Sequence, residues 1–249
     1  MVAVVVFEYS GMRCQPLRRA LNLKREFMDS FEYHSQIREK TLGELNLFEL
    51  AHIHVNSGVH TSLKSGYMIS SLNTVIDEIR HVKYQAYSSA FLPVSAAFTV
   101  LDQLGFCYIN KNLAKYSDAN ASSIKKSLYY FCGFGMNDKD SKTLYALRNS
   151  FIHSASGVSK ALRSNQPNHY FVFDKSNPNL ITYPTESWDG NFSNLKMKHA
   201  TIVNQKMLVD LAESAVDKVK EALYNDALQV ELEGAECEFY YRFLKHIEN

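Results

Sequence analysis

The segment from Ser89 to Ile109 restricts the folds open to this chain more than any other feature. Apolar residues occupy nearly every face of it, namely Phe91, Leu92, Val94, Phe98, Val100, Leu101 and Leu104. Pro93 falls near its first turn, where a helix tolerates proline. A helix that is apolar on all sides has to be covered by other elements. The sequence therefore predicts a central helix with neighbours packed around it.

Other segments carry the three- and four-residue apolar spacing of amphipathic helices that pack on such a centre. These predicted helices span about 67–87, 121–134, 141–156, 200–224 and 228–247. Two aromatic and β-branched runs, 170–173 and 180–183, flank a polar turn and predict a β-hairpin at about 169–183. The predicted fold is mainly α, a helical bundle of about five core helices with a β-hairpin insert.

The division of the chain is predicted from breaks in this pattern. With 249 residues and 46% hydrophobic composition, the chain is long enough to bury a substantial core. Before residue 67 the helical spacing is interrupted at Gly43, Gly58 and Gly66. We therefore expect residues 1–66 to form an N-terminal arm with a helical extension, and residues 67–249 to form the helical domain.

Charge and composition exclude few partners but bear on the cellular compartment. The 27 basic and 26 acidic residues nearly cancel, so net charge does not indicate a nucleic-acid or membrane partner. No apolar run approaches the roughly 20 residues of a membrane span, and the apolar start lacks the basic region of a signal peptide. The four cysteines contain no C-x-x-C pair. These features predict a cytoplasmic protein without a membrane partner or a cofactor.

His52, His54 and His60 form the one histidine group that suggests a metal site. Their alternate spacing suits a strand better than a helix. No nearby cysteine or carboxylate completes a set of four ligands. We therefore expect no metal site.

The segment Arg148-Asn149-Ser-Phe-Ile-His153, on the predicted helix 141–156, is the motif best suited to chemistry. Metal-independent RNA cleavage needs a proton acceptor for the 2′-hydroxyl, a cation for the phosphoryl oxygens and a proton donor for the leaving oxygen. His153 suits the acid or base role, and Arg148 suits the phosphate. Asn149 is expected to position the substrate or the histidine. Arg148 lies about 140° around an ideal helix from His153, so its side chain must reach.

Four other residues are candidates for supporting roles. Asp102 either orients His153 or Arg148, or is a charge at the end of its helix. Tyr145 either stacks on a base or packs in the core. Lys139 and Lys142 either contact phosphates or form part of a solvated charged face. The same two interpretations apply to Lys125 and Lys126, which precede the motif helix in sequence.

The motif resembles the R-x(4–6)-H signature of the HEPN superfamily, including a polar residue directly after the arginine. The order of predicted helices over about 67–224 is also similar to that of the HEPN bundle, whereas residues 1–66, the hairpin and 228–249 lie outside it. The resemblance implies a metal-independent endoribonuclease acting at a homodimer cleft, often in toxin-antitoxin or antiviral-defence systems, with an antitoxin or regulatory protein as partner.

Two alternatives stay open at this point. One is a catalytically inactive HEPN-like module that binds nucleic acid, nucleotide or a protein partner. The other is a helical structural protein in which the motif is accidental.

Overall fold

The fold is mixed α/β. The computed structural model describes residues 30–56, 58, 60–85, 91–161 and 166–248. Within these residues helices hold 52% and strands 15%, with eight α-helices and three sheets. The predicted mainly α bundle with a single hairpin is therefore wrong. The predicted arm lies largely in residues 1–29, outside the described residues.

The helices surround one apolar member, as the sequence predicted. They are α1 (Ser30–Arg38), α2 (Leu47–Val55), α3 (Ser71–Val82), α4 (Phe91–Cys107), α5 (Ser123–Phe131), α6 (Lys139–Ser154), α7 (Gln205–Tyr224) and α8 (Ala235–Arg242). Helix α4 contacts α3, α5, α6 and α7. Its Val94, Phe98 and Leu101 have no exposed surface. The prediction of a buried central helix at 89–109 is confirmed for the described residues, in which the helix runs from Phe91 to Cys107.

Nine short strands form the three sheets. They are β1 (His60–Leu63), β2 (Gly66–Ser70), β3 (Tyr108–Asn110), β4 (Val158–Ser159), β5 (His169–Phe173), β6 (Ile181–Thr182), β7 (Ala200–Val203), β8 (Leu228–Val230) and β9 (Leu244–Ile247). The strand orders are β1-β2-β9, β3-β8 and β4-β5-β7-β6. Strands β2 and β3 directly adjoin helices α3 and α4, and one residue separates β7 from α7 and α8 from β9.

The predicted β-hairpin at 169–183 is wrong, because β5 and β6 do not pair. Strand β7 lies between them, parallel to β5 and antiparallel to β6. The helical spacing predicts residues 200–203 as the start of helix 200–224, but they are β-branched at three of four positions, which favours a strand. The strand ends where the Asn204 side chain accepts a hydrogen bond from the N–H of Met207 and caps α7.

The chain near residue 66 also differs from the prediction. Residues 66–70 form a strand, and the helix begins only after Ser70, whose hydroxyl caps α3 by accepting from the N–H of Asn73. Strand β2 pairs with β9, so the predicted final helix 228–247 is shortened to α8 between two strands. The division of the chain into two parts at residue 66 stays a prediction. Leu50 and Ile53 of α2, which precede that position, lie in the same hydrophobic core as Phe98, which follows it.

His52 and His54 lie on a helix, so the expectation that their spacing suits a strand is wrong. Asn46 caps α2 by accepting hydrogen bonds at its amino end, and both histidines are fully buried. His54 Nδ1 lies 2.7 Å from the Tyr108 hydroxyl, and His52 Nδ1 lies 3.1 Å from the Tyr224 hydroxyl. These contacts make the two imidazoles part of the core.

Burial of these imidazoles predicts that the protein loses stability in mild acid. Desolvation lowers the pKa of His52 to about 4 and that of His54 to about 3. Both folded values lie below the unfolded value of about 6.5, so the unfolded chain binds these protons first. The stability that the neutral imidazoles contribute is fully present above about pH 6.5. Below that pH the free energy of unfolding decreases by about 1.4 kcal/mol per pH unit for each histidine.

We expect His54→Phe to lessen the pH dependence of the unfolding free energy by about that amount between pH 6 and pH 5. Denaturant unfolding at each pH measures it, whatever the substitution does to stability at neutral pH. The matched control is His81→Phe, since His81 is exposed in the last turn of α3. An unchanged slope in the His54 variant would show that this imidazole is not held neutral in the fold.

None of the helices in the described ranges combines the length and the apolarity that a membrane-spanning segment requires.

Candidate functional site

Helix α6 carries the motif, and its core contacts fix which way the motif faces. Leu144, Leu147 and Phe151 are buried on one side, which leaves Asn149 half-buried and His153 exposed on another. The helix ends at Ser154, because Ala155 adopts the left-handed conformation with φ of +49° and its N–H bonds to the carbonyl of Phe151. The predicted helix end at residue 156 is therefore two residues late.

Arg148 crosses from α6 to α4, where it meets Asp102. Its Nε and Nη2 atoms lie 2.8 Å and 2.7 Å from the same carboxylate oxygen, Oδ2. The two side chains are 24% and 25% exposed, so the ion pair is partly shielded from water. Of the two interpretations of Asp102, the structure agrees with the one in which this carboxylate is a partner of Arg148.

The other end of the guanidinium points toward the rest of the motif. Nη1 lies 3.2 Å from Asn149 Oδ1 and 3.2 Å from His153 Nε2. The 140° separation on the helix is thus spanned by the length of the arginine side chain. Asp102, Arg148, Asn149 and His153 form one hydrogen-bonded group, which we name the Arg148 cluster.

Asp102 is also bound to the amino end of α5. Burial raises the pKa of its carboxyl, while hydrogen bonds from Arg148 and from the backbone N–H of Ile124 oppose that rise. Ile124 lies in the first turn of α5 after the N-cap residue Ser122, where free N–H groups and the helix dipole favour a carboxylate. The Arg148 cluster therefore rests on three helices.

Gly105, one turn beyond Asp102 on α4, permits this close packing. A Cβ atom on Gly105 would lie 1.9 Å from the carbonyl oxygen of Ser123 at the start of α5. Sequence reasoning missed both Gly105 and Ile124. A glycine inside an apolar helix is a known signal of close packing, whereas a backbone N–H donor such as that of Ile124 has no signature in the sequence.

The candidate lysines and Tyr145 fall on different sides of α6. Lys142 is exposed and lies seven residues before Asn149, about 10 Å along the same face. Tyr145 is half-buried against the core, with the Lys125 Nζ atom 4.3 Å from its ring centroid. Lys139 instead lies over the ring of Tyr183, at 3.4 Å from the centroid. Lys142 and Tyr145 thus share the face of the Arg148 cluster, and Lys139 does not.

No group of three or more histidine, cysteine, aspartate or glutamate side chains with metal-binding geometry occurs among the residues described. The Arg148 cluster itself combines a cation, an imidazole, an amide and a carboxylate at a partly exposed surface. Such a set can bind a phosphate and exchange a proton with a neighbouring hydroxyl.

Comparison with known proteins adds no assignment, since no family model, no curated protein and no solved structure matches this chain.

Proposed function

We propose that this protein is a metal-independent endoribonuclease of HEPN type that acts at the Arg148 cluster. The observation that carries the proposal is the 3.2 Å distance between Arg148 Nη1 and His153 Nε2 at an exposed position. A phosphodiester bound by that guanidinium lies beside an imidazole, which is the pairing that RNA cleavage requires.

In the proposed reaction, His153 takes the proton of the 2′-hydroxyl and the 2′-oxygen attacks the adjacent phosphorus. The bond from phosphorus to the 5′-oxygen breaks, and a 2′,3′-cyclic phosphate remains. Arg148 stabilises the charge on the phosphoryl oxygens, and Asn149 holds the substrate. The leaving 5′-oxygen takes a proton from water, and the imidazolium of His153 neutralises the hydroxide that remains. In the proposed homodimer, two copies of the Arg148 cluster share one cleft.

The charges around the cluster suit a polyanionic substrate. Helices α5 and α6 carry Lys125, Lys126 and Lys142. None of these three forms an ion pair with a carboxylate in the described part of the chain, unlike Lys83, which binds Glu213. Lysines without a carboxylate partner attract phosphates and make binding sensitive to salt. The resemblance extends the proposal to a cytoplasmic effector of a toxin-antitoxin or defence system, controlled by a regulatory protein.

The test is cleavage of labelled RNA by purified protein in the presence of EDTA. We expect fragments that end in a 2′,3′-cyclic phosphate. A matched RNA with a single 2′-deoxynucleotide on the 5′ side of the mapped cleavage site should stay intact there, because it lacks the attacking hydroxyl. RNA that is bound but never cleaved would overturn the enzyme proposal and favour the inactive binding module.

Lys142→Glu should weaken RNA binding without changing the fold, because the lysine is exposed and lies on the same face of α6 as Asn149. We expect the affinity to fall and the dependence of log K on log salt concentration to lessen by about one unit. Fluorescence anisotropy across a salt series measures both quantities. Lys206→Glu, an exposed position on α7, is the control and should have a smaller effect. Equal losses in the two variants would mean that RNA does not bind along α6.

A further inference from the structure

The hydrogen bonds of Arg148 bear on which tautomer of the His153 imidazole fits the unliganded site. Arginine carries five N–H groups, has no acceptor and stays protonated in proteins. Nε and Nη2 donate to Asp102, and Nη1 donates to Asn149 and to His153 Nε2. Since arginine can only donate, Nε2 is the acceptor in this bond. A neutral imidazole that accepts through Nε2 carries its proton on Nδ1.

We propose that Asp102 is the positioning residue of this site: through Arg148 it holds His153 as the neutral tautomer with the proton on Nδ1. The effect of this arrangement on RNA cleavage rests on the proposed function, whereas the tautomer does not. Asp102 does not touch the substrate in this scheme and acts only through the arginine.

The geometry favours Asp102 over the other contacts as the residue that fixes the guanidinium. The ion pair with Asp102 supplies two contacts of 2.7 Å and 2.8 Å from one edge of the plane, whereas Asn149 and His153 each supply one contact of 3.2 Å. Charge-assisted bonds are shorter and stronger than neutral ones. Asp102 is itself fixed, because Ile124 donates its N–H and α4 packs closely on α5 at Gly105.

The arrangement also implies an order of events at the site. While Nη1 donates to Nε2, the imidazole has no free lone pair and cannot take a proton. A phosphate oxygen that accepts from Nη1 competes with Nε2 for that donor. The proton acceptor is therefore released when a phosphate binds, with Asp102 still holding the opposite edge of the guanidinium.

The test is NMR spectroscopy of ¹⁵N-histidine-labelled protein at a pH where the imidazole is neutral. Long-range proton–nitrogen correlations show which ring nitrogen carries the proton, and His153→Gln assigns the signal. We expect the wild type to show the proton on Nδ1. Asp102→Ala and Arg148→Ala should each shift the signal toward a mixture of tautomers. Asp217→Asn, on an exposed part of α7, should leave it unchanged.

Each other result overturns the inference in a distinct way. A wild-type signal with the proton on Nε2 would show that the bond from Arg148 does not persist in solution. If Arg148→Ala alters the tautomer but Asp102→Ala does not, the guanidinium keeps its position without Asp102. Asp102 is then not a positioning residue. Circular dichroism and the remaining histidine signals report whether each variant is folded, and Asp102→Asn, of nearly equal volume, provides a second variant.

Activity then separates the positioning role from the proposed function. If the wild type cleaves RNA, Asp102→Ala should lower kcat by about 10²-fold, the cost of misplacing a catalytic group by about 1 Å, with a smaller change in KM. If the wild type cleaves no RNA while the tautomer depends on Asp102, the proposed function fails and the positioning of His153 stands.

Discussion

His153→Ala is expected to slow RNA cleavage by about 10²–10⁴-fold, the usual contribution of a general acid or base. The imidazole is exposed in the last turn of α6, so its removal should leave the melting temperature within a few degrees of the wild-type value. Single-turnover cleavage of labelled RNA measures the chemical step directly. The matched control is His81→Ala, since His81 is also an exposed histidine in the last turn of a helix, α3.

The Arg148 variant makes this prediction more specific. When two residues act together in one step, the effects of their substitutions on the rate do not add. The double variant His153→Ala with Arg148→Ala should therefore be about as slow as the slower single variant. Because Arg148→Ala leaves Asp102 without its counter-charge, folding of that variant has to be checked separately. Full activity in His153→Ala, or equal losses in His153→Ala and His81→Ala, would exclude the Arg148 cluster as the catalytic site.

Gly105→Ala is expected to destabilise the protein by about 3 kcal/mol or more, at the upper end for overpacked cores. The added Cβ would lie 1.9 Å from the Ser123 carbonyl oxygen and 2.7 Å from the Ser127 nitrogen, both backbone atoms that cannot rotate away. Helix α5 must therefore move off α4. Since Ile124 is next to Ser123, the same movement withdraws its N–H from Asp102, and we expect RNA cleavage to fall even where the variant remains folded.

Thermal unfolding measures this effect, and a loss of this size corresponds to a decrease in melting temperature of roughly 6–12 °C for a chain of this length. Gly43→Ala is the control, because a Cβ at Gly43 has no atom within 4 Å. A melting temperature for Gly105→Ala equal to that of the control would mean that the two helices are not packed as closely as the structure has them.

The helices were more predictable than the strands, and the reason is how far apart the contacting residues lie in sequence. The apolar period of α6 and α7 is set by neighbours three and four residues away, so it is visible in any local window. Strands β7 and β9 are only four residues long, and β7 directly precedes a helix. Their apolar residues fit the helical period, and their partners, β5 and β2, lie elsewhere in the chain. Pairing over such distances has no local signature.

The candidate site divides in the same way. Arg148, Asn149 and His153 lie on one helix and were identified together from their spacing and chemistry. Asp102 is a candidate with two interpretations in the sequence, because it lies 46 positions before Arg148 and a contact over that distance has no local signature. Lys139 and Lys142 look equivalent in sequence, but only the structure shows that Lys139 lies over Tyr183.

The pairing of β2 with β9 has a consequence for synthesis of the chain. Tyr67 faces Ile247, so the middle strand of this sheet has a partner on that side only after residues 244–247 have been made. Until then β2 presents unpaired N–H and C=O groups, which can pair with another chain. During translation the nascent protein therefore carries an open sheet edge at which aggregation can begin or a chaperone can bind. Pairing of β9 with this edge is a late step of folding.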